Sequence, residues 1–276
     1  MPKNRFPDSL PKRELRRRGA RRISAFRETK SVPLGLSYCG MPSVEFLDVQ
    51  AWQESLRSVC AVEIDNEVLS DMRIQWDSLA LGLPIHFVHA DILEFLCNTN
   101  DCYDLYNLDF FGGLINPTST GESRCVDAIR ILVHRQWIRR QSFILVATFN
   151  VRDRGAVEYL AFIDNVPQAL AGWHNIKNCC NAHKKNQAAR LKLCFPYLCW
   201  QLAISNNFSV RFNEPPVVYK SSATMIHFYV EFTFQERALP DLTSHEVLAD
   251  LISMPLLRLD GMIPRVELAP PQVMKP

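Results

Sequence analysis

Apolar residues along this 276-residue chain recur in two rhythms, short continuous runs and helical spacing, which alternate over most of its length. Residues 32–40 read as a short strand entering a turn. Val44, Phe46, Leu47, Trp52 and Leu56 then fall near helical spacing over residues 44–58, behind the start signals Met41, Pro42 and Ser43. Residues 59–65 form a short apolar strand closed by acids, and residues 66–81 a second helix with Asn66 at its N-cap. Residues 84–91 give a third strand, again closed by an acid, and residues 92–96 start a short helix. A fourth strand over residues 103–109 ends on Asp109, followed by Phe110, Phe111, Gly112 and Gly113. A helix over residues 125–138 leads to residues 142–149, an unbroken apolar run of the kind a central strand shows when both faces are buried. Residues 182–204 read as a long helix kinked or broken at Pro196. Residues 208–212 and 224–234 pair as strands across a loop holding Pro215 and Pro216. Beyond residue 238 the chain is rich in Pro and Leu, with a short helix expected around residues 245–252.

Five strands alternating with helices, then a strand pair, specify an α/β fold. The expected architecture is a doubly wound, mostly parallel, seven-stranded Rossmann-like sheet with a C-terminal antiparallel hairpin. Residues 31–235 hold this domain. Residues 1–30 form a basic arm or a fraying helix, and residues 236–276 an extension.

Charge changes the picture at one end. The formal net charge is +2, but residues 1–30 hold eleven Lys and Arg against three acids, a net of +8 that leaves −6 for the rest. A basic arm on a mildly acidic body suits a polyanion, and nucleic acid contacted through Arg16, Arg17, Arg18, Arg21 and Arg22 is the expected partner. A solvated tail is the competing reading. Arg135, Arg139 and Arg140, and the basic N-terminal half of the long helix with Arg190 and Lys192, offer further backbone contacts or simply solvated faces. Arg152 and Arg154, after the fifth strand, are read either as phosphate contacts or as loop charge. No apolar run approaches the ~18 residues of a membrane-spanning helix. The basic start lacks the apolar core of a secretory signal, and nine scattered cysteines suit reduced thiols in the cytoplasm. Cys179, Cys180, His183, Cys194 and Cys199 do not have the spacing of a paired zinc knuckle, so no metal is expected.

Residues 103–113 carry the chemistry. An acid at a strand's C-terminal end sits where open α/β sheets bind ligands. Asp109 supplies a hydrogen-bond acceptor and Phe110 and Phe111 flat apolar faces, a set suited to a planar amine such as a nucleobase. Burial under a loop is the competing reading of both rings. Glu63 follows Gly40 by 23 residues, near the offset at which an acid holds ribose hydroxyls in dinucleotide folds. Asp65 is its neighbour and alternative. Asp91 closes the third strand and is equally an N-cap candidate.

The element order, the strand-end acids and Asp109-Phe110-Phe111-Gly112 together resemble the class I S-adenosylmethionine-dependent methyltransferases over residues 31–235. The motif is similar to the D/N/S-P-P-Y/F of amino-methyltransferases, and closer to the Asp-Pro-Phe-Gly of tRNA guanine dimethylases, with Phe110 in the proline position. The resemblance implies S-adenosylmethionine as cofactor and methyl transfer to an amine, a nucleobase exocyclic amine in RNA or DNA. It implies Gly35 and Gly40 in the cofactor turn, Glu63 on the ribose and Asp91 on the adenine. Asp109, Phe110 and Phe111 would form the catalytic group, Asp109 holding the target amine and Phe111 stacking on the base. The turn has no G-x-G, a departure from the family pattern. That departure, and a total of 10 glycines, support a rival reading as a catalytically degenerate fold that binds nucleic acid or protein.

Overall fold

The computed structural model describes residues 8–30, 34–110, 114, 124–151, 183, 186–236, 250 and 252–268. A helix, α1 (Leu10–Thr29), precedes β1 (Leu36–Gly40), α2 (Leu47–Trp52) and a single 3-10 turn (Gln53–Ser55). Next come β2 (Leu56–Glu63), α3 (Asn66–Leu79), β3 (Ile85–His89), α4 (Ile92–Asn98) and β4 (Leu105–Asp109). The second half holds α5 (Arg124–Ile138), β5 (Phe143–Asn150), α6 (Gln187–Ser205), β6 (Phe208–Arg211), β7 (Val217–Lys220) and β8 (Thr224–Phe234). Two last strands, β9 (Leu256–Leu259) and β10 (Pro264–Leu268), close the described chain.

These strands make one sheet in the order β10-β9-β7-β8-β5-β4-β1-β2-β3, with β6 paired to another stretch of β8. β1 to β5 are mutually parallel, and β8 joins β5 antiparallel. The α/β, mostly parallel Rossmann-like reading therefore holds for this half. Alternate side chains of a strand face opposite sides. One face carries α4, α5 and α6 over Tyr106, Leu108, Leu145 and Phe149. The other carries α1, α2 and α3 over Tyr38, Val59, Leu105 and Val146.

The described residues form ten strands where seven were expected. β7, β9 and β10 are four or five residues long, too short for periodicity to resolve. β7 lies in the stretch read as a proline loop, and β9 pairs with it in parallel, so part of the expected C-terminal extension widens the same sheet. The helix expected around residues 245–252 lies largely outside the described residues. α6 runs through Pro196 as one element, its residues mostly buried between neighbours that hold it in place.

α1 is an integral layer. Leu15, Gly19, Ile23 and Phe26 recur at helical spacing and are buried, and the Trp52 indole N–H donates to the Arg16 carbonyl at 3.0 Å. A Cβ on Gly19 would stand 3.0 Å from the Trp52 ring, so a larger residue there would have to push the ring or the helix back by a few tenths of an ångström. Its arginines meet acids of the fold. Glu14, almost wholly buried, accepts from Arg17 through both oxygens at 2.7 Å and from Arg18 at 2.9 Å. Arg22 reaches Glu214 at 3.1 Å, and Arg16 pairs with Asp8 and, at 3.7 Å, with Asp48.

Candidate functional site

β1 is flanked by β2 on one side and β4 on the other, so strand order reverses there. Chains leaving the carboxyl ends of such a pair diverge to opposite faces and leave a crevice, the place where open α/β sheets take ligands. A cavity of about 340 Å³ opens at this point. Met41, Pro42 and Ser43 after β1 line it, with Glu63 from β2, Asp91 after β3, and Asp109 and Phe110 from the end of β4. Four of the seven expected site residues thus meet in one space.

Each acid arrives with a local reason. Glu63 ends β2 and takes the Asp65 backbone N–H on its Oε1 at 2.9 Å. Asp65 is the N-cap of α3, accepting from the backbone N–H groups of Glu67 and Val68, and Asn66 is the first helical residue. Asp91 caps α4 through Oδ1, with Leu93 N–H at 2.7 Å, while its Oδ2 lies 3.7 Å from Arg124. The capping reading is correct for Asp91, and the residue still lines the cavity. Asp109 has no such employment: its Oδ1 is buried without a hydrogen-bond partner among the described residues. Burial pushes its carboxyl up to about 6, with Lys12 opposing and Asp48 reinforcing the shift. By contrast Asp104, at the opposite end of β4, is fully engaged by Ser37, Gln141 and Arg57. Asp104, at the amino end, fastens the sheet, and Glu63, Asp91 and Asp109, at the carboxyl ends, line the open space.

The glycines divide. Gly35 precedes β1 at the end of the strand remote from the cavity, with φ +86°, and a Cβ there would stand 2.9 Å from the Leu56 backbone. It serves the β1–β2 contact, which corrects its assignment to the cofactor turn. Gly40 does end β1 at the crevice. A Cβ on it would stand 2.5 Å from the Asn107 carbonyl oxygen and 2.6 Å from the Tyr38 hydroxyl, so its bareness is consumed by β4 and Tyr38. The turn itself gets its left-handed residue from Phe46, at φ 51°, whose ring is buried against Trp76 and Phe87. Packing of that ring stands in for the glycine that a G-x-G would supply.

Phe110 stacks on Phe149 at 5.3 Å and 17° and is buried, so the core reading describes it best, although its edge reaches the cavity. Phe111, Gly112, Arg152 and Arg154 lie outside the described residues. Arg135 is buried and donates to the Leu96 and Thr99 carbonyls at 2.9 and 2.7 Å. Arg190 and Lys192 are likewise buried, Lys192 reaching the Ile252 carbonyl at 3.2 Å. These three are structural, which corrects their reading as nucleic-acid contacts. Cys194 and Cys199 are buried within α6, and Cys179 and Cys180 lie outside the described residues.

Several cavity residues have no sequence motif. Lys12, Leu15 and Arg16 roof the space from α1, with Asp8 just ahead of that helix, Asp48 enters from α2, and Thr148, Tyr219 and His227 wall it from β5, β7 and β8. Asp48 accepts from the Asn107 side-chain amide at 3.0 Å, and burial raises its carboxyl against the pull of Arg16. The helical spacing of Leu15, Gly19, Ile23 and Phe26 was the available signal for the roof. Tyr219 and His227 depend on strand pairing, which periodicity does not encode.

No family model and no curated protein matches the chain. Solved structures to which the chain is similar include magnesium protoporphyrin IX methyltransferase from Synechocystis with bound S-adenosylhomocysteine. It is 13% identical over 83% of this chain and 90% of that one, with a TM-score of 0.43. The methyltransferase domain of bacterial-CtHen1-C is 16% identical over 80% of this chain and 100% of its own, at 0.44. A chain from Bordetella parapertussis described as an exported protein is 15% identical over 78% and 68%, at 0.40. At these values the fold and the site stand on this chain's own strand order and cavity. No described helix is long and apolar enough to cross a membrane.

Proposed function

We propose that the chain binds S-adenosylmethionine in the crevice at the β1/β4 switch point and transfers its methyl group to an amine, specifically the exocyclic amine of a nucleobase in RNA or DNA. The observation that carries this is the convergence of Glu63, Asp91 and Asp109 on one cavity, Asp109 with an unpartnered buried oxygen. Carboxylates are pure acceptors, and an adenosine group presents hydroxyl and amine donors to match. Glu63 would take ribose hydroxyls and Asp91 Oδ2, beside Arg124, the adenine amine. When bound, the cofactor supplies an electrophilic methyl group on a sulfonium. Asp109 Oδ1 would accept an N–H of the target amine, hold its nitrogen in line, and take the proton the methylated nitrogen sheds. α1 roofs the space and limits water there. Arg17 and Arg21, on the exposed side of α1, are the nucleic-acid contacts this reading uses.

Label transfer from S-adenosylmethionine to mixed RNA and DNA, with digestion to nucleosides, tests the reading. Asp109→Ala should lower transfer by about 10²-fold, the scale of losing one preorganised polar group, with cofactor affinity unchanged. Equal loss of both would reassign Asp109 to cofactor binding. Because Gly40's space is already filled, a degenerate binding module is the second reading. Nucleic-acid binding with no label in any base would favour it.

A further inference from the structure

Thr148, Tyr219 and His227 line the same cavity as Asp109, and the proposed chemistry leaves them unused. Strand register explains their meeting. Asp109 on β4 sits opposite Thr148 on β5, and Thr148 opposite His227 on β8. Directly paired residues point to the same face, with neighbouring strands about 4.8 Å apart. The three therefore form a row across the sheet on the face that α1 covers. Tyr219 joins from β7 and lines the same cavity.

The hydrogen bonds fix which atom each group offers. Burial first, then the nearby Asp109 and Asp48 carboxylates, push the Tyr219 hydroxyl up and keep it protonated. The Thr148 oxygen lies 3.0 Å from His227 Nδ1. A hydroxyl has one hydrogen to give, and Nδ1 is the acceptor the described residues offer it; donation there puts the imidazole's own hydrogen on Nε2. Burial holds the ring neutral by pushing its pKa down to about 4. Nε2 has no partner among the described residues and is the ring nitrogen left for a ligand. One wall thus offers an acceptor, Asp109 Oδ1, and a donor, His227 Nε2–H.

We infer that His227 is a specificity-determining residue of the acceptor site, its Nε2–H reading a ring nitrogen or carbonyl oxygen that accompanies the target amine on Asp109. This inference rests on the methyl-acceptor reading above. The substrate class follows from the pattern: an amino-substituted heteroaromatic ring that pairs a donor with an acceptor. Rings with carbonyls but no amine leave Asp109 unmatched, and amines on plain hydrocarbon rings leave His227 unmatched. A site built to hydrogen-bond a group discriminates against analogues lacking it, because its own buried polar atom is left unpaired.

The test uses the full chain and two probes, 4-aminopyrimidine, which has both groups, and aniline, which has the amine alone. A first titration with S-adenosylhomocysteine reports on the crevice; no binding there would sink the methyl-transfer reading itself. With that ligand bound, the wild-type chain should bind 4-aminopyrimidine at least about fivefold more tightly than aniline, one neutral hydrogen bond's worth. The preference should vanish in His227→Phe and survive in His227→Gln, which keeps a donor. Unchanged S-adenosylhomocysteine affinity shows that a variant is folded. If His227→Phe does not fold, Thr148→Val, which removes the group that sets the tautomer, should weaken the preference instead. Equal affinity for the two probes in the wild type, no binding of either, or a preference that persists in His227→Phe or in Thr148→Val would overturn the inference.

Discussion

A buried carboxylate with an unpartnered oxygen is a costly residue, and Asp109 should show that cost directly. Its carboxyl titrates at about 6 in the fold, raised chiefly by burial. A raised acid favours the folded state when protonated, so its contribution is present below the unfolded value near 4 and is lost as pH rises through about 6. Asp109→Asn should therefore raise stability at neutral pH, by up to about 3 kcal/mol for roughly two pK units, and the gain should fade towards pH 4. Urea unfolding of both proteins across that range measures it, and a gain constant with pH would show that the carboxyl is not perturbed. Activity should have the opposite slope, because only the ionised carboxylate can take the proton that the methylated nitrogen sheds. Transfer should rise with pH through about 6 in the native chain, and a flat profile would remove Asp109 from that role. At this scale the sequence was informative: Glu63, Asp91 and Asp109 all reach the cavity from strand ends that apolar runs had marked. Gly35 was misplaced because a glycine's two uses, freeing a turn and admitting a neighbouring backbone, look the same in sequence.

Between elements, the tightest junction at the site is β1 against β4. Gly40 has no room for a methyl group between the Asn107 carbonyl and the Tyr38 hydroxyl. Gly40→Ala should destabilise by about 1–3 kcal/mol or more, as overpacking does. It should also weaken cofactor binding, because the strand end carrying Met41 to Ser43 must shift. Thermal unfolding and a cofactor titration together check this, and a variant as stable as the parent would contradict the close approach. α1 is the element whose status changed most. A run of arginines concealed an apolar stripe, and one of the acids that absorb its charge, Glu214, lies almost 200 residues away. Charge complementarity at that separation is a property of the fold, which a local window does not contain. The short strands β7, β9 and β10 were illegible for a related reason: each is defined by its partner in the sheet.

For the whole molecule, the fold turns a strongly basic N-terminal segment into a roof whose inner side is neutralised and whose outer side is not. Arg17 remains 55% exposed despite its pairing with Glu14, and Arg21 is exposed with no ion pair among the described residues. If nucleic acid is the partner, Arg17→Ala with Arg21→Ala should lower the slope of log affinity against log salt by about 1–2 and leave the fold intact. An unchanged slope would assign α1 to structure alone. The central claim is that the crevice at the β1/β4 switch point is a cofactor site built on Glu63 and Asp91, and calorimetric titration with S-adenosylmethionine tests it most directly. The account expects saturable one-to-one binding that Glu63→Ala weakens by about tenfold or more, the loss of charge-assisted bonds to hydroxyls, while thermal stability is unchanged. Absence of binding at millimolar cofactor, or binding indifferent to Glu63, would contradict it.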